Sequence, residues 1–212
     1  MTVGIGTGTT AAWFVHALGD LRLAVRGVAT SKATAALARS AGIDLVDLDE
    51  VGVIDLTVDG ADEIGPDLAL IKGGGAALLG EKLVWRASAR CVVIADQNKI
   101  SKTLGKFPLP IEVVAFGHTT TARRIQAVLE AQDFAATPVL RMREGAPVTT
   151  DSGNLLYDVA CGSIADPPRL GEALKAITGV IEHGLFLGLA HDALIGADEG
   201  VVAIGREGGS GG

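Results

Sequence analysis

Acidic and basic side chains that could transfer protons are concentrated between Asp59 and Glu81. The stretch reads DGADEIGPDLALIKGGGAALLGE and also carries Asp62 and Lys72, next to a glycine run at residues 73–75. Proton abstraction beside a carbonyl needs a carboxylate base, a cation for the enediolate and a second carboxyl for the oxygen-bound proton. A structural network of ion pairs is the alternative, because it would also perturb pKa values. The glycines among the charges favour chemistry.

The flanking elements indicate how these side chains are positioned. Residues 56–59 (LTVD) predict a buried strand that ends at Asp59, and open α/β sheets bind ligands at the carboxyl ends of their strands. Residues 76–87 predict a helix, because they are helix formers without proline. A glycine run that opens a helix presents backbone N–H groups to an anion or oxyanion. We expect Glu81 about two turns into this helix, near that site.

A second glycine-rich turn lies at the start of the chain. Residues 2–5 predict a strand, residues 11–18 predict a helix, and GTGTT lies between them, which is typical of a phosphate-binding turn. The residues of this turn that would face an anion are Thr7, Gly8, Thr9 and Thr10. A tight turn without a ligand is the alternative. Thr9 replaces the third glycine of the dinucleotide fingerprint, and no acidic residue ends the strand at 25–29, so no nicotinamide cofactor is expected.

Other chemistries are disfavoured by the residues at key positions. The glycine spacing at residues 75–80 matches a P-loop, but Glu81 stands where the phosphate-binding lysine is needed. The acidic residues do not follow a calcium-loop pattern, and no histidine is near enough in sequence to complete a transition-metal site. We therefore expect neither a bound metal nor nucleotide phosphotransfer.

Composition limits the partners and the compartment. A net charge of -7 over 212 residues argues against nucleic acid and anionic membranes. The 29 glycines are about twice the usual share and indicate many tight strand-to-helix turns. Cys91 and Cys161 have no metal or redox spacing and are expected to be reduced thiols. The start of the chain lacks a basic region and is broken by glycines, so we expect no signal peptide or membrane span and a cytoplasmic location.

The order of predicted elements indicates the fold. Strands alternate with helices, which predicts an α/β protein with a Rossmann-like, doubly wound, mostly parallel sheet. A later block with frequent turns predicts a small α+β, ferredoxin-like domain inserted in the chain. The predicted division is a main catalytic domain at 1–118 plus 184–205, the small domain at 119–183, and a glycine-rich disordered tail at 206–212.

Seven segments of the chain resemble the ribose-5-phosphate isomerases of the A type. The segments are GIGTGTTA (4–11), VDGADEI (58–64), IKGGGAAL (71–78), GEK (80–82), LGKFPLPIEV (104–113), TDSGNLLYDV (150–159) and GVIEHGLF (179–186). The resemblance covers residues 2–204. Thr9 replaces the usual serine of the family. Family members also usually open with a helix of about twenty residues ahead of the first strand, so we expect either a late start codon or a partly uncovered sheet here.

The resemblance implies an activity and a set of site residues. It implies interconversion of D-ribose 5-phosphate and D-ribulose 5-phosphate in the pentose phosphate pathway, without metal or cofactor, in a homodimer or sometimes a tetramer. Glu81 would be the general base, and Asp59, Asp62 and Lys72 would handle hydroxyl protons, ring opening and enediolate charge. The implied substrate-binding residues are Thr7, Gly8, Thr9, Thr10, Asp59, Gly60, Ala61, Asp62, Lys72, Gly73, Gly74, Gly75 and Lys106.

Two alternative functions predict different residues. A related sugar-phosphate deaminase or lactonase needs other catalytic groups, usually a histidine, and the central stretch contains none. A catalytically silent sugar-phosphate sensor would keep the phosphate turn but lose the base, whereas Glu81 is retained. The isomerase is therefore the favoured interpretation.

Overall fold

The structure is a computed structural model that describes residues 1–205, and the predicted disordered tail at 206–212 lies outside the described residues. The helices are α1 (Thr9–Asp20), α2 (Lys32–Ser40), α3 (Leu78–Arg86), α4 (His118–Ala131) and α5 (Pro167–Lys175), with 3-10 turns at Leu48–Glu50, Pro66–Leu68 and Gln97–Lys99. The strands are β1 (Thr2–Ile5), β2 (Arg26–Ala29), β3 (Asp44–Leu45), β4 (Leu56–Asp59), β5 (Glu63–Ile64), β6 (Leu70–Ile71), β7 (Cys91–Asp96), β8 (Leu109–Val113), β9 (Pro138–Leu140), β10 (Met142–Arg143), β11 (Ala146–Pro147), β12 (Leu155–Val159), β13 (Val180–His183), β14 (Leu185–Phe186), β15 (Asp192–Ala197) and β16 (Gly200–Gly205).

The main sheet has seven strands in the order β16-β15-β7-β4-β1-β2-β3. All neighbouring strands pair in parallel except the β15–β16 hairpin at one edge. The central strands are buried on both sides, as parallel strands must be when helices cover both faces. The predicted mostly parallel α/β sheet is confirmed.

Helices lie on both faces of this sheet. Ile5 packs in one cluster with Val15 of α1 and Ala38 of α2. The neighbouring Gly4 faces the opposite side, towards α3, because successive residues of a strand alternate between faces. A Cβ added to Gly4 would lie 2.8 Å from Val84 Cγ1, so α3 can pack this closely only against glycine. The sheet is doubly wound, as predicted.

A second sheet of four antiparallel strands has the order β13-β8-β12-β9. Together with α4 and α5 its strands follow the chain order β8-α4-β9-β12-α5-β13, which is the predicted ferredoxin-like arrangement. Ile111, Ile125 and Leu170 join the sheet and the two helices in one buried cluster. Strand β8 precedes the predicted domain boundary at residue 119, and the domain division itself stays a prediction.

Helix α3 begins later than the sequence indicates. Ala76 has a left-handed backbone with φ 64°, and Ala77 caps the helix at Leu78 without a side-chain hydrogen bond. Glu81 therefore lies in the first turn of α3, and the expectation of about two turns was wrong. Because the first turn is where the helix dipole favours negative charge, this position suits a carboxylate.

No helix within residues 1–205 is long and apolar enough to cross a membrane. The longest helix, α4, has only 14 residues, whereas a helical span needs about 20.

Candidate active site

Three of the four predicted catalytic residues, Asp62, Lys72 and Glu81, line a small cavity at the carboxyl ends of β1 and β4, and the fourth, Asp59, is buried beside Lys72. The cavity has a volume of about 100 Å³, and its lining residues are Thr7, Gly8, Thr9, Thr10, Gly60, Ala61, Asp62, Lys72, Gly73, Gly75, Glu81 and Lys99. A cavity ten times larger lies elsewhere, around the end of α1 and residues 40–44, and contains none of the predicted site residues. The position outside the strand ends is the one that open α/β sheets use for ligands.

Asp59 is fully buried at the end of β4, and its carboxylate accepts four hydrogen bonds or ion-pair contacts. Oδ1 accepts from the N–H groups of Thr7 at 3.1 Å and Gly60 at 2.7 Å. Oδ2 contacts Lys72 Nζ at 3.0 Å and accepts from the Trp85 indole N–H at 3.2 Å. Because both oxygens are fully engaged, Asp59 anchors its neighbours and has little capacity left to accept a substrate proton.

Glycine is required where the first turn passes Asp59. A Cβ added to Gly6 would lie 2.0 Å from Asp59 Oδ1, far inside contact distance. The Thr7 hydroxyl turns away from this carboxylate and contacts the hydroxyls of Thr30 at 2.7 Å and Ser31 at 2.9 Å. The side chain of Thr7 therefore ties the turn to the start of α2, and its backbone N–H holds Asp59.

Lys72 is buried beside two carboxylates, with 2% of its surface exposed. Its Nζ donates to Gly60 O at 2.6 Å and Glu81 Oε1 at 3.2 Å, and forms the ion pair with Asp59. Burial lowers the pKa of Lys72, but the Asp59 and Glu81 carboxylates outweigh it and the net pKa lies above its usual value. The Trp85 ring centroid also lies 5.6 Å from Nζ, which favours the cation. Lys72 is a fixed positive charge in the cavity.

Glu81 is buried and has one carboxylate oxygen without a partner. Oε1 accepts from Lys72, while Oε2 has no hydrogen-bond partner in the described part of the chain. Burial raises the pKa of Glu81 to about 8, although the Lys72 charge opposes the shift. A base works best when its pKa is near the working pH and a lone pair is free. Of the carboxylates that contact Lys72, Glu81 is thus the one equipped to take a proton.

The glycine run supplies backbone donors next to Asp62. The Gly74 N–H donates to Asp62 Oδ2 at 2.7 Å, and a Cβ on Gly74 would lie 2.7 Å from Asp62 Oδ1. Gly73 has φ 106°, which a side chain would strain. The N–H groups of Gly73 and Gly75 have no acceptor among residues 1–205. These two N–H groups are therefore available to an oxyanion.

The other end of the cavity is suited to an anion. Helix α1 begins at Thr9 with Gly8 as its N-cap, and no side chain caps this end. The first N–H groups of a helix lack intrahelical partners and bind phosphate readily. Thr9 and Thr10 line the cavity, and Lys99 adds a positive charge to its lining.

Lys99 lines the cavity although neither its residue type nor its spacing predicted a site residue. Asp96 ends β7 and caps the 3-10 turn by accepting from the Asn98 N–H at 3.0 Å, which brings Lys99 to the cavity. The available signal was a lysine three residues beyond a strand that ends at the same sheet edge. Lys106 instead lines a neighbouring cleft of about 200 Å³ together with Lys99 and Glu63, so the structure does not bring Lys106 into the cavity.

The cavity combines the parts needed to move a carbon-bound proton in a small anionic molecule. Glu81 offers a free carboxylate oxygen, Lys72 a fixed charge, and Gly75 an unused N–H group. Within residues 1–205 no three or more His, Cys, Asp or Glu side chains cluster to hold a metal ion.

Comparison with known proteins identifies close relatives over nearly the whole chain. A model of the ribose 5-phosphate isomerase A (phosphoriboisomerase A) family matches residues 26–200. The ribose-5-phosphate isomerase A of Caulobacter sp. (strain K31) is 62% identical over 204 residues, which cover 96% of this chain and 90% of the relative.

Solved structures agree with these sequence relatives. The ribose 5-phosphate isomerase of Plasmodium falciparum superposes with a TM-score of 0.92 at 34% identity, over 98% of this chain and 92% of that one. A D-ribose-5-phosphate isomerase in complex with phospho-erythronic acid has a TM-score of 0.88 at 38% identity, over 97% of this chain and 91% of that one.

Proposed function

Because the chain belongs to the ribose 5-phosphate isomerase A family, we propose that it interconverts D-ribose 5-phosphate and D-ribulose 5-phosphate through an enediolate, with Glu81 as the base. The reaction is part of the non-oxidative pentose phosphate pathway. The observation that carries this assignment of the base is the buried Glu81 carboxylate, whose Oε1 contacts the Lys72 ammonium at 3.2 Å while its Oε2 is unpaired within residues 1–205.

The first step removes the proton on C2 of the open-chain aldose. Glu81 Oε2 accepts that proton, the electron pair forms the C1–C2 double bond, and negative charge moves to the C1 oxygen. Lys72 and the free N–H groups of Gly73 and Gly75 stabilise this charge. Return of the proton from Glu81 to C1 completes the ketose.

A second group must move the proton between the two sugar oxygens. Asp62 fits this role, because among residues 1–205 only its Oδ2 has a hydrogen-bond partner, the Gly74 N–H, and the residue lines the cavity. Asp59 fits it poorly, since each of its oxygens already has two contacts. We therefore assign proton transfer at the hydroxyls to Asp62 and the positioning of Lys72 to Asp59.

The substrate phosphate binds at the start of α1. The unsatisfied N–H groups of that helix end and the side chains of Thr9, Thr10 and Lys99 surround the space for an anion. The protein is acidic overall, so these local groups supply the attraction for the phosphate.

Conversion of D-ribose 5-phosphate to the ketose by purified protein, with a chelator present, tests the activity. In D2O, a carboxylate that relays the proton predicts partial incorporation of deuterium at C1 of the ketose. Complete retention of the substrate hydrogen would instead indicate a hydride shift and contradict the role of Glu81. Phospho-erythronic acid, bound by a relative, is expected to inhibit competitively, because its carboxylate resembles the enediolate.

We also infer a homodimer or tetramer in the cytoplasm. The edge strand β16 exposes Val201, Val202 and Ile204, and an uncovered apolar edge favours association. Cys91 and Cys161 are free thiols, which fits a reducing compartment. Light scattering coupled to size exclusion measures the oligomer, and a monomer at micromolar concentration would contradict the first inference.

A further inference from the structure

Arg141 connects the second sheet to the glycine run of the active site. The residue lies between β9 and β10, and its Nη1 donates to Gly73 O at 2.8 Å and to Gly74 O at 3.2 Å. These contacts join positions 68 and 67 residues apart in sequence. Arg141 does not line the cavity, so it contacts the carbonyls of Gly73 and Gly74 from outside the cavity.

The guanidinium of Arg141 is itself held rigidly. Asp158 on β12 accepts from Nε at 2.8 Å and from Nη2 at 2.5 Å, which is the two-pronged geometry that arginine forms with carboxylates. The Arg141 backbone donates to Leu156 O at 2.8 Å and accepts from the Val148 N–H at 2.9 Å. With the side chain 14% exposed, both its position and its orientation are fixed.

The contacted carbonyls belong to the peptide groups whose N–H atoms the active site uses. A peptide group is planar, so fixing Gly73 O also fixes the Gly74 N–H, and fixing Gly74 O fixes the Gly75 N–H. The first N–H holds Asp62, and the second is free at the cavity wall. Glycine backbone is conformationally free, so these peptides need an external contact to hold one orientation. A positive charge next to a carbonyl oxygen also polarises the peptide and makes its N–H a better donor.

We propose that Arg141 is a positioning residue for the isomerisation, which orients the Gly74 and Gly75 N–H groups towards Asp62 and the enediolate. The proposal rests on the proposed function. Asp158 in turn orients Arg141. Other contacts would keep the second sheet docked without Arg141, such as the ion pair of Lys82 on α3 with Glu182 on β13 at 2.9 Å. The effect of losing Arg141 should therefore fall on turnover more than on folding.

The expected size follows from the geometry. Removing an oxyanion donor typically costs about a hundred- to a thousand-fold in rate, and misplacing one costs less. For Arg141→Met we expect kcat to fall about 10- to 100-fold, with KM changed less than about threefold, because the phosphate site is untouched. Arg141→Lys keeps a charge but cannot bridge two carbonyls and Asp158, so it should recover only part of the rate.

The test compares Arg141→Met with Arg90→Met, which removes an arginine from an exposed pair with Asp192 that touches no active-site residue. We expect the kcat loss only in Arg141→Met, together with faster amide hydrogen exchange at Gly74, whose N–H is hydrogen-bonded to Asp62. Equal kcat in the two variants, or unchanged exchange at Gly74, would overturn the proposal.

Two further readouts keep the outcome decisive. If Arg141→Met does not fold, Asp158→Asn removes the carboxylate that orients the Arg141 guanidinium. We then expect kcat to fall about 3- to 10-fold at constant KM. An unchanged kcat overturns the proposal. If the wild-type protein does not isomerise ribose 5-phosphate, the proposed function fails instead. The exchange measurement at Gly74 still reports on the positioning by Arg141.

Discussion

Replacement of Glu81 by glutamine removes the base while keeping the shape of the site. The amide oxygen of glutamine can still accept from Lys72 at the 3.2 Å position. The amide nitrogen then occupies the place of Oε2, which has no partner in the part of the chain that the structure describes. We therefore expect the variant to fold and to bind substrate.

The loss of turnover should be large. A positioned general base contributes about 10²- to 10⁴-fold, which is about 3 to 5 kcal/mol at 1.36 kcal/mol per tenfold change. Glu81 both removes and returns the proton, so we expect kcat to fall by at least about 10³-fold. KM should stay within about threefold, because the phosphate contacts at α1 are unchanged.

The stability of the variant should depend on pH in a defined direction. Burial raises the pKa of Glu81 from 4.5 to about 8, so the folded protein binds this proton more tightly than the unfolded chain. That contribution to stability is complete below pH 4.5 and is lost as the pH rises through about 8. At pH 9 the wild-type protein must bury a charged carboxylate, whereas glutamine is neutral at every pH. The variant should therefore match wild type near pH 4.5 and be more stable than wild type at pH 9.

Ketose formation from ribose 5-phosphate measures kcat, and thermal unfolding between pH 4.5 and 9 measures stability. Glu130→Gln is the control, since it makes the same chemical change on the exposed side of α4 and should leave both quantities unaltered. Turnover of Glu81→Gln near that of wild type would refute the assignment of the base. Lower stability than wild type at pH 9 would refute the argument from burial.

In wild type, kcat/KM should fall about tenfold per pH unit below the Glu81 pKa of about 8, because the base is then protonated, and a flat profile between pH 5 and 7 would contradict this. Lys99→Met should raise KM for ribose 5-phosphate at least about tenfold and Lys106→Met less than threefold, since only Lys99 lines the cavity; the reverse order in steady-state kinetics would count against the site. Lys82→Met should lower the free energy of unfolding by about 1 to 3 kcal/mol in urea titrations, because the buried carbonyls of His183 and Leu185 lose their Lys82 donor, although Glu182 keeps Lys175 at 3.0 Å. A loss below about 1 kcal/mol would show that Lys82 is not a structural anchor.

Local features of the fold could be predicted from the sequence. The strands at Thr2–Ile5 and Leu56–Asp59 both have the predicted bounds. Such features depend on hydrophobic pattern and on neighbours within a few residues, which the sequence shows directly. The end of α3 that carries Glu81 was placed wrongly because Ala76 adopts a left-handed conformation that its residue type does not announce.

Sequence alone determined which stretch of the chain carries the chemistry. Asp59, Asp62, Lys72 and Glu81 lie within 23 residues around a glycine run, at a strand end, and these facts need no tertiary structure. The requirement for glycine at position 74, by contrast, is known only from the folded chain, in which the Asp62 carboxylate occupies the space of a side chain.

The tertiary structure decided what each of these groups can do. Trp85 saturates Asp59 from another element, while Glu81 Oε2 is left buried and unpaired, and this separates an anchor from a base. Lys99 lines the cavity and Lys106 does not, and Arg141 reaches the glycine run from a different sheet. Burial and pairing depend on residues far apart in the chain that meet only on folding, so residue type and spacing could not reveal them.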